Sequence, residues 1–311
     1  MRRVRREARQ EGELPQYAHG MLHTLIVSAA AFTSPPPLEF TPIPERLAPF
    51  GSVFGKHIDV FGTHVFATRA TPDAKVLHAA AILAQWLDNN EDGVPDAPEV
   101  AAAMAGRDAY VFMTVDEREM GRLQYEMERT LASWGLLRWG QFLHAGETNP
   151  GDGEFDAAIE ETLHLVCTAG WAQVWPDVFG PRPGTRISNC CDAARGGRFA
   201  GPPRRYPPKA WFTYDDRTCE YDCMVVEYEY WALTSLLGGQ QSAGRCEEIK
   251  HEWRPCTPEQ VRTRDAAVVK LLTDPAYHLP TRLPDGNYGT AVQSPAPDAF
   301  PETPPPPDPR S

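Results

Sequence analysis

No apolar run in this 311-residue chain reaches the ~18 residues that a membrane-spanning helix requires. Basic charge is scarce: 30 Lys and Arg stand against 42 Asp and Glu, a net charge of −12. That balance excludes whole-surface binding to DNA, RNA or anionic lipid, so no nucleic-acid partner is expected. The chain contains no GxSxG elbow, no GxxxxGK[ST] loop and no GxGxxG fingerprint. Serine-hydrolase, P-loop and Rossmann chemistry therefore have no motif to rest on. It also lacks internal repeats, and no cysteine pair has CxxC spacing, which argues against a structural zinc cluster. Proline, by contrast, is abundant: 31 residues, roughly twice the usual share of about 5%. Long coiled coils are excluded, and many short, loop-separated elements are expected. A hydrophobic content of 42%, with 8 Trp, 13 Phe and 10 Tyr, supplies a packed core.

The two ends differ from the middle. Residues 21–32 (MLHTLIVSAAAF) have the length of a signal-peptide h-region, with small residues at the end and MRRVRRE upstream. An ordinary buried helix or strand accounts for the run equally well. Residues 1–49 are thus read as an export region and Pro-rich lead-in. Residues 291–311 contain eight prolines and almost nothing apolar, which predicts an extended, disordered tail. Of seven cysteines, six fall between 190 and 256, a distribution that suggests up to three disulfides with Cys167 left free in a helix. A secreted or luminal location follows as an expectation.

The sharpest motif is DNNEDGVPDAPE at 88–99. A hard divalent cation wants six or seven oxygens converging from one tight loop, and alternating oxygen-bearing side chains around a glycine turn supply them. Asp88, Asn90 and Asp92 take the first, third and fifth positions, Gly93 the sharp turn, and Val94 the position that offers its backbone carbonyl. Asp96 takes the ninth position and Glu99 the bidentate twelfth. Val76, Leu77, Ala80, Leu83, Trp86 and Leu87 recur at helical spacing before the loop, and Pro98 opens a second helical run after it. The segment resembles an EF-hand loop, and equally the calcium repeats of thrombospondin type 3 and dockerin-like modules. The resemblance implies bound calcium in a single, structural copy. Pro95 departs from the EF-hand pattern, because it cannot donate the backbone bond that joins paired loops.

A second constellation lies in EFDAAIEETLHLVCTAG at 154–170. Glu160 and His164 are four apart and project from one helical face, with Glu161 beside them. The spacing resembles the HExxH helix of zinc peptidases with its first His replaced by Glu. Carried over position by position, Glu160 and His164 become metal ligands and Glu161 the general base. A third ligand is expected from the run at 223–233, where Glu227 lies in an otherwise apolar stretch, an expensive place for an unpaired charge. With Tyr221 or Tyr230 stabilising an oxyanion, this set resembles the glutamate-type zincins, of which lethal-factor-like peptidases are the nearest comparison. Glu, His, Glu ligation suits zinc, iron or manganese. The plainer alternative makes His164 a buried core histidine with Glu160 and Glu161 facing solvent.

Strand-like runs at 57–67, 109–115 and 136–143 and helical patterns at 73–87, 99–105, 116–133, 154–169 and 224–237 predict an α+β fold. It is a predominantly helical single domain over 50–290, with a small β-sheet, a zincin-like layout and disulfide-tied loops. His57 and His64, seven apart in one strand-like run, are expected on opposite faces and are set aside as joint ligands. The functional expectation is an exported calcium-binding protein with metal-dependent hydrolysis of a peptide or protein substrate. The rival is a non-catalytic calcium-binding surface or interaction protein whose EETLH helix is structural.

Overall fold

The computed structural model describes residues 35–130, 139–151 and 153–289. The signal-like run, the residues at 136–138 and the proline tail lie outside them. Four strands, β1 (Lys56–Val60), β2 (Thr63–Ala67), β3 (Tyr110–Thr114) and β4 (Gly140–His144), form one mixed sheet in sequence order. β1 and β2 pair antiparallel, whereas β2–β3 and β3–β4 are parallel. Parallel neighbours need long crossovers. The helices α1 (Asp73–Leu87) and α2 (Pro98–Ala105), with the acidic loop between them, supply the first, and α3 (Glu117–Thr130) lies in the second.

Alternation along the strands divides the core in two. Ile58, Val60, Val65, Val111, Met113 and Leu143 face the main core with α1 and α4 (Ala157–Leu165). Phe66, Tyr110 and Phe112 face the other way and pack with Leu47, Phe50, Phe54 and Met127. The Phe50 and Phe66 rings stack at 4.6 Å. The ordered domain therefore begins before the expected boundary at residue 50. Residues near 40 already belong to it, since Phe40 bridges to Ile58.

The run at 57–67 is not one strand. Phe61 and Gly62 both take positive φ (52° and 83°), and Val60 pairs with Thr63 across them. Two left-handed residues make a two-residue hairpin turn of the primed kind. The hairpin places His57 and His64 on one face, with His57 Nε2 3.0 Å from His64 Nδ1, which corrects the expectation that they point apart. Arg46 can only donate, so the bond between its Nη2 and His64 Nε2 (3.2 Å) makes that nitrogen the acceptor. His64 then donates from Nδ1 to His57, and His57 Nδ1 donates to Thr41 Oγ1 at 2.9 Å. Burial holds both imidazoles below the ordinary histidine range, which suits a chain of neutral rings.

α4 runs straight into a π-helical turn, Val166–Trp171, and then α5 (Ala172–Val174). Gly170 in that turn lets α2 approach: a Cβ there would sit 2.8 Å from Val100 Cγ1. α6 (Arg186–Arg195) precedes α7 (Tyr221–Leu236), a helix apolar on most sides and correspondingly central. Three short helices follow: α8 (Arg245–Ile249), α9 (Pro258–Arg264) and α10 (Ala266–Leu272). The chain closes with a wrap over α1, in which Gln85 holds the Asp285–Gly286 turn by amide and carboxylate bonds.

Two disulfides form, Cys219–Cys223 and Cys246–Cys256. Cys167 is free and buried, as expected. The third bridge that the cysteine distribution allowed is absent among the described residues. Cys190 and Cys191 are both buried on α6, where consecutive side chains diverge by about 100°.

Candidate metal centre

The geometry of α4 is set at its N-cap. Asp156 accepts the Ala158 amide at 3.0 Å and the His78 imidazole N–H at 2.5 Å. Burial alone would raise this carboxyl, but His78 and the Asn149 and Ala158 amides hold it below its ordinary value. His78 is thus a hydrogen-bonded clamp between α1 and the start of α4.

From this anchored start, Glu160 and His164 project one turn apart toward α7, which supplies Glu227. One ligand atom from each of the three lies within 4.8 Å of the other two. Among the described residues this is the one such cluster of His, Cys, Asp and Glu. His164 Nε2 is 3.7 Å from Glu227 Oε2, is buried, and has no hydrogen-bond partner. Nδ1 of the same ring lies 3.8 Å from Glu161 Oε2.

Charge is concentrated here at high cost. Burial pushes Glu160 up to about 7; His164 pulls it down, while Glu227 and Glu161 push it further up. Burial also raises Glu227. For His164 burial favours the neutral ring, yet Glu227, Glu161 and Glu160 together lift it to about 10. Without an added ion, then, the site holds one imidazolium among three carboxyls. Glu229, on another face of α7, is buried beside the Cys167 thiol, and burial raises it to about 8.

The structure brings together Glu160, Glu161, His164, Glu227 and Tyr230. Burial and the nearby Glu160 carboxyl raise the Tyr230 phenol, and its ring meets the His164 ring edge-on at 5.5 Å. Tyr221 is not part of the group. Its hydroxyl donates to Asp192 at 3.1 Å and its ring lies under the Arg195 guanidinium at 5.2 Å, so it fastens α7 to α6. The second tyrosine at the site is Tyr214, whose phenol is raised by burial and by Glu227. It precedes α7, and its place among acidic residues was the available signal.

The loop at 88–99 turns at Gly93. Gly93 has φ +87°, and Asp88 is fully buried, accepting the Gly93 amide at 2.8 Å and the Tyr288 hydroxyl at 2.6 Å. Asn90 Oδ1 accepts the Asp92 amide, Asp92 Oδ1 the Val94 amide, and Asp96 Oδ2 the Asn89 amide. Burial raises Asp96, and Asp88 and Asp92 add to the rise. The carboxylates of Asp88, Asp92, Asp96 and Glu99 do not form a three-ligand cluster of the kind found at Glu160.

No helix among the described residues is long and apolar enough to cross a membrane. Compared with known proteins, the chain matches no protein-family model, no curated protein and no solved structure. The functional reading therefore rests on the site itself. What its geometry defines is a Glu–His–Glu group, with the histidine buried and the two glutamates partly buried, that could hold a metal ion, inside a disulfide-containing α+β domain.

Proposed function

We propose that the protein is a metal-dependent hydrolase in which Glu160, His164 and Glu227 hold a divalent transition metal and a peptide or related bond is cleaved. One observation carries the reading: His164 Nε2 is buried, has no hydrogen-bond partner, and lies 3.7 Å from Glu227 Oε2 in a group whose third member, Glu160, also offers an oxygen within 4.8 Å of the others. A structural histidine in so acidic a pocket would be expected to donate from both nitrogens. An ion would use the free nitrogen and offset the crowding of carboxylates. The donor set fits such an ion, two carboxylates and one imidazole suiting zinc, iron or manganese.

When bound, the metal would polarise a carbonyl oxygen and acidify water. The remaining roles belong to side chains. Glu161, partly exposed and next to the ligands, takes a proton from water and returns it to the leaving group. It also keeps the His164 proton on Nδ1, so that Nε2 presents its lone pair to the ligand group. Tyr230, edge-on to the His164 ring, and Tyr214, whose phenol feels the Glu227 charge, are the phenols offered to a developing oxyanion. In the same proposal the 88–99 loop is a calcium-bound structural staple, supported by the positive φ of Gly93 and the buried Asp88. Two disulfides support an exported protein.

Elemental analysis of the purified wild type and of His164→Ala tests this. The expected result is about one equivalent of transition metal, lost in the variant while calcium stays. Calcium alone in both would leave the rival reading, a calcium-binding surface protein with a structural EETLH helix.

A further inference from the structure

The acidic balance of the chain reverses between residues 178 and 214. Seven Lys or Arg residues stand there against a single carboxylate, Asp192, in a chain of net charge −12. Four of the seven have acidic partners: Arg182 pairs with Asp177, Arg186 with Asp274, and Arg195 and Arg198 with Asp192. The other three, Arg204, Arg205 and Lys209, are exposed and have no carboxylate partner among the described residues. Folding brings two more exposed cations to this segment. Arg254 donates from its guanidinium to the Ala210 carbonyl and from its backbone amide to the Trp211 carbonyl, the latter at 3.1 Å. Arg264 donates to the Lys209 carbonyl at 3.2 Å and lies over the Trp211 ring at 5.2 Å. A carbonyl carries no net charge, so these bonds aim the two guanidinium groups without cancelling them.

The backbone that bears the patch is stiff. Pro202-Pro203 and Pro207-Pro208 flank its centre, each proline fixing φ. Between the pairs Tyr206 is pinned: its hydroxyl donates to the Tyr214 carbonyl at 2.9 Å and accepts the Tyr214 amide at 3.1 Å. The Ala210 amide closes a turn on the Pro207 carbonyl at 2.9 Å. Three cations thus stand on a fixed segment and two are tied to it, so a ligand that meets them need not order the backbone.

We propose that Arg204, Arg205, Lys209, Arg254 and Arg264 form a docking surface for an anionic polysaccharide, a polymer with sulfate or carboxylate groups on its repeating units. Four of the five cations are arginine, whose planar fork matches such oxyanions. Other polyanions call for features that this face lacks. Single nucleic-acid strands are gripped by aromatic platforms on which bases stack, whereas the Trp211 ring is covered by the Arg264 guanidinium. Anionic bilayers are held by apolar side chains as well as charge, and the exposed large apolar residues Phe40, Val94, Val115 and Tyr125 all lie in other segments. Neither the Glu160 group nor the 88–99 loop takes part, so the surface is independent of the metal reading.

The test is retention of the full-length chain on immobilised dextran sulfate, followed by titration with the free polymer across a salt series. The wild type should be retained at low salt despite its net negative charge and released as salt rises. Arg204→Ala combined with Arg205→Ala should weaken binding by about tenfold or more and reduce the log–log salt slope by about one unit per arginine removed. Arg182→Ala combined with Arg186→Ala removes the same charge from cations already paired with carboxylates, and should bind like the wild type. All four side chains are exposed, so urea midpoints should hold in both double variants. Failure of the wild type to bind, or an equal loss in the two double variants, would overturn the patch. Tighter binding to phosphatidylserine vesicles or to a single-stranded oligonucleotide than to dextran sulfate would overturn the choice of polysaccharide.

Discussion

Trp86 donates its indole N–H to the carbonyl oxygen of Ile159 across 3.2 Å. Trp86 is the penultimate residue of α1, just before the acidic loop, and Ile159 immediately precedes Glu160. The helix that enters the loop therefore grips the backbone from which a metal ligand projects. Trp86→Phe removes this bond and leaves a small void. Stability should fall by about 1–3 kcal/mol, read by urea unfolding. Zn2+ affinity at the His164 site should fall as well. A variant that loses stability and keeps wild-type affinity would show that the contact is only packing.

Tyr214 and Tyr221 separate on substitution. Tyr214→Phe removes a hydroxyl that interacts with Glu227 and should weaken metal binding several-fold with little change in unfolding midpoint. Tyr221→Phe releases Asp192 instead and should cost roughly 0.5–1.5 kcal/mol of stability with metal affinity unchanged. Titration calorimetry beside urea melts reads both, and the opposite pattern would return Tyr221 to the site.

The paired histidines of the hairpin give a pH signature. His57 and His64 have folded pKa values lowered by burial, so below about pH 6.5 the unfolded chain binds their protons more readily than the native one. Their contribution is fully present above that pH and is lost as pH falls through the folded values. Each can add a slope of up to about 1.4 kcal/mol per pH unit. Asp59 and Asp108 facing the rings oppose the loss, and Arg46 adds to it. Denaturant unfolding between pH 7 and 5 should show a steeper loss of stability for the wild type than for His64→Phe; equal slopes would mean that the native chain takes up the His64 proton as readily as the unfolded one.

Gly170 offers a packing test. A methyl group there would lie 2.8 Å from Val100 Cγ1 and 3.2 Å from Met104 Sδ. Gly170→Ala should destabilise the chain by about 1–3 kcal/mol, because α2 must move off the π turn. An unchanged thermal midpoint would mean that α2 yields without cost.

Much of this was legible in the residues. The 73–87 pattern returns as α1 with the same bounds, although its second half, Ala79–Leu87, is buried on every side. Glu160, His164 and Glu227 were legible because a carboxylate in an apolar helix needs a reason, and the structure brings them together. The His57–His64 pair was hidden because its turn is Phe-Gly, not the Asn-Gly or Asp-Gly that usually marks a primed hairpin. Tyr221 and Tyr230 were offered together because both lie in the run that carries Glu227; only the packing of α6, through Asp192 and Arg195, draws Tyr221 away.

The two disulfides join cysteines only 4 and 10 positions apart. Closing so short a loop costs little chain entropy, so each cysteine meets its own partner far more often than it meets a distant one. The thiols of Cys167, Cys190 and Cys191 are meanwhile buried and held in the protonated form, Cys190 at about 11. A thiol reagent should find none of them in the native chain at neutral pH. Oxidative folding is thereby reduced to two local encounters, with the odd cysteines withdrawn into the core as the helices dock.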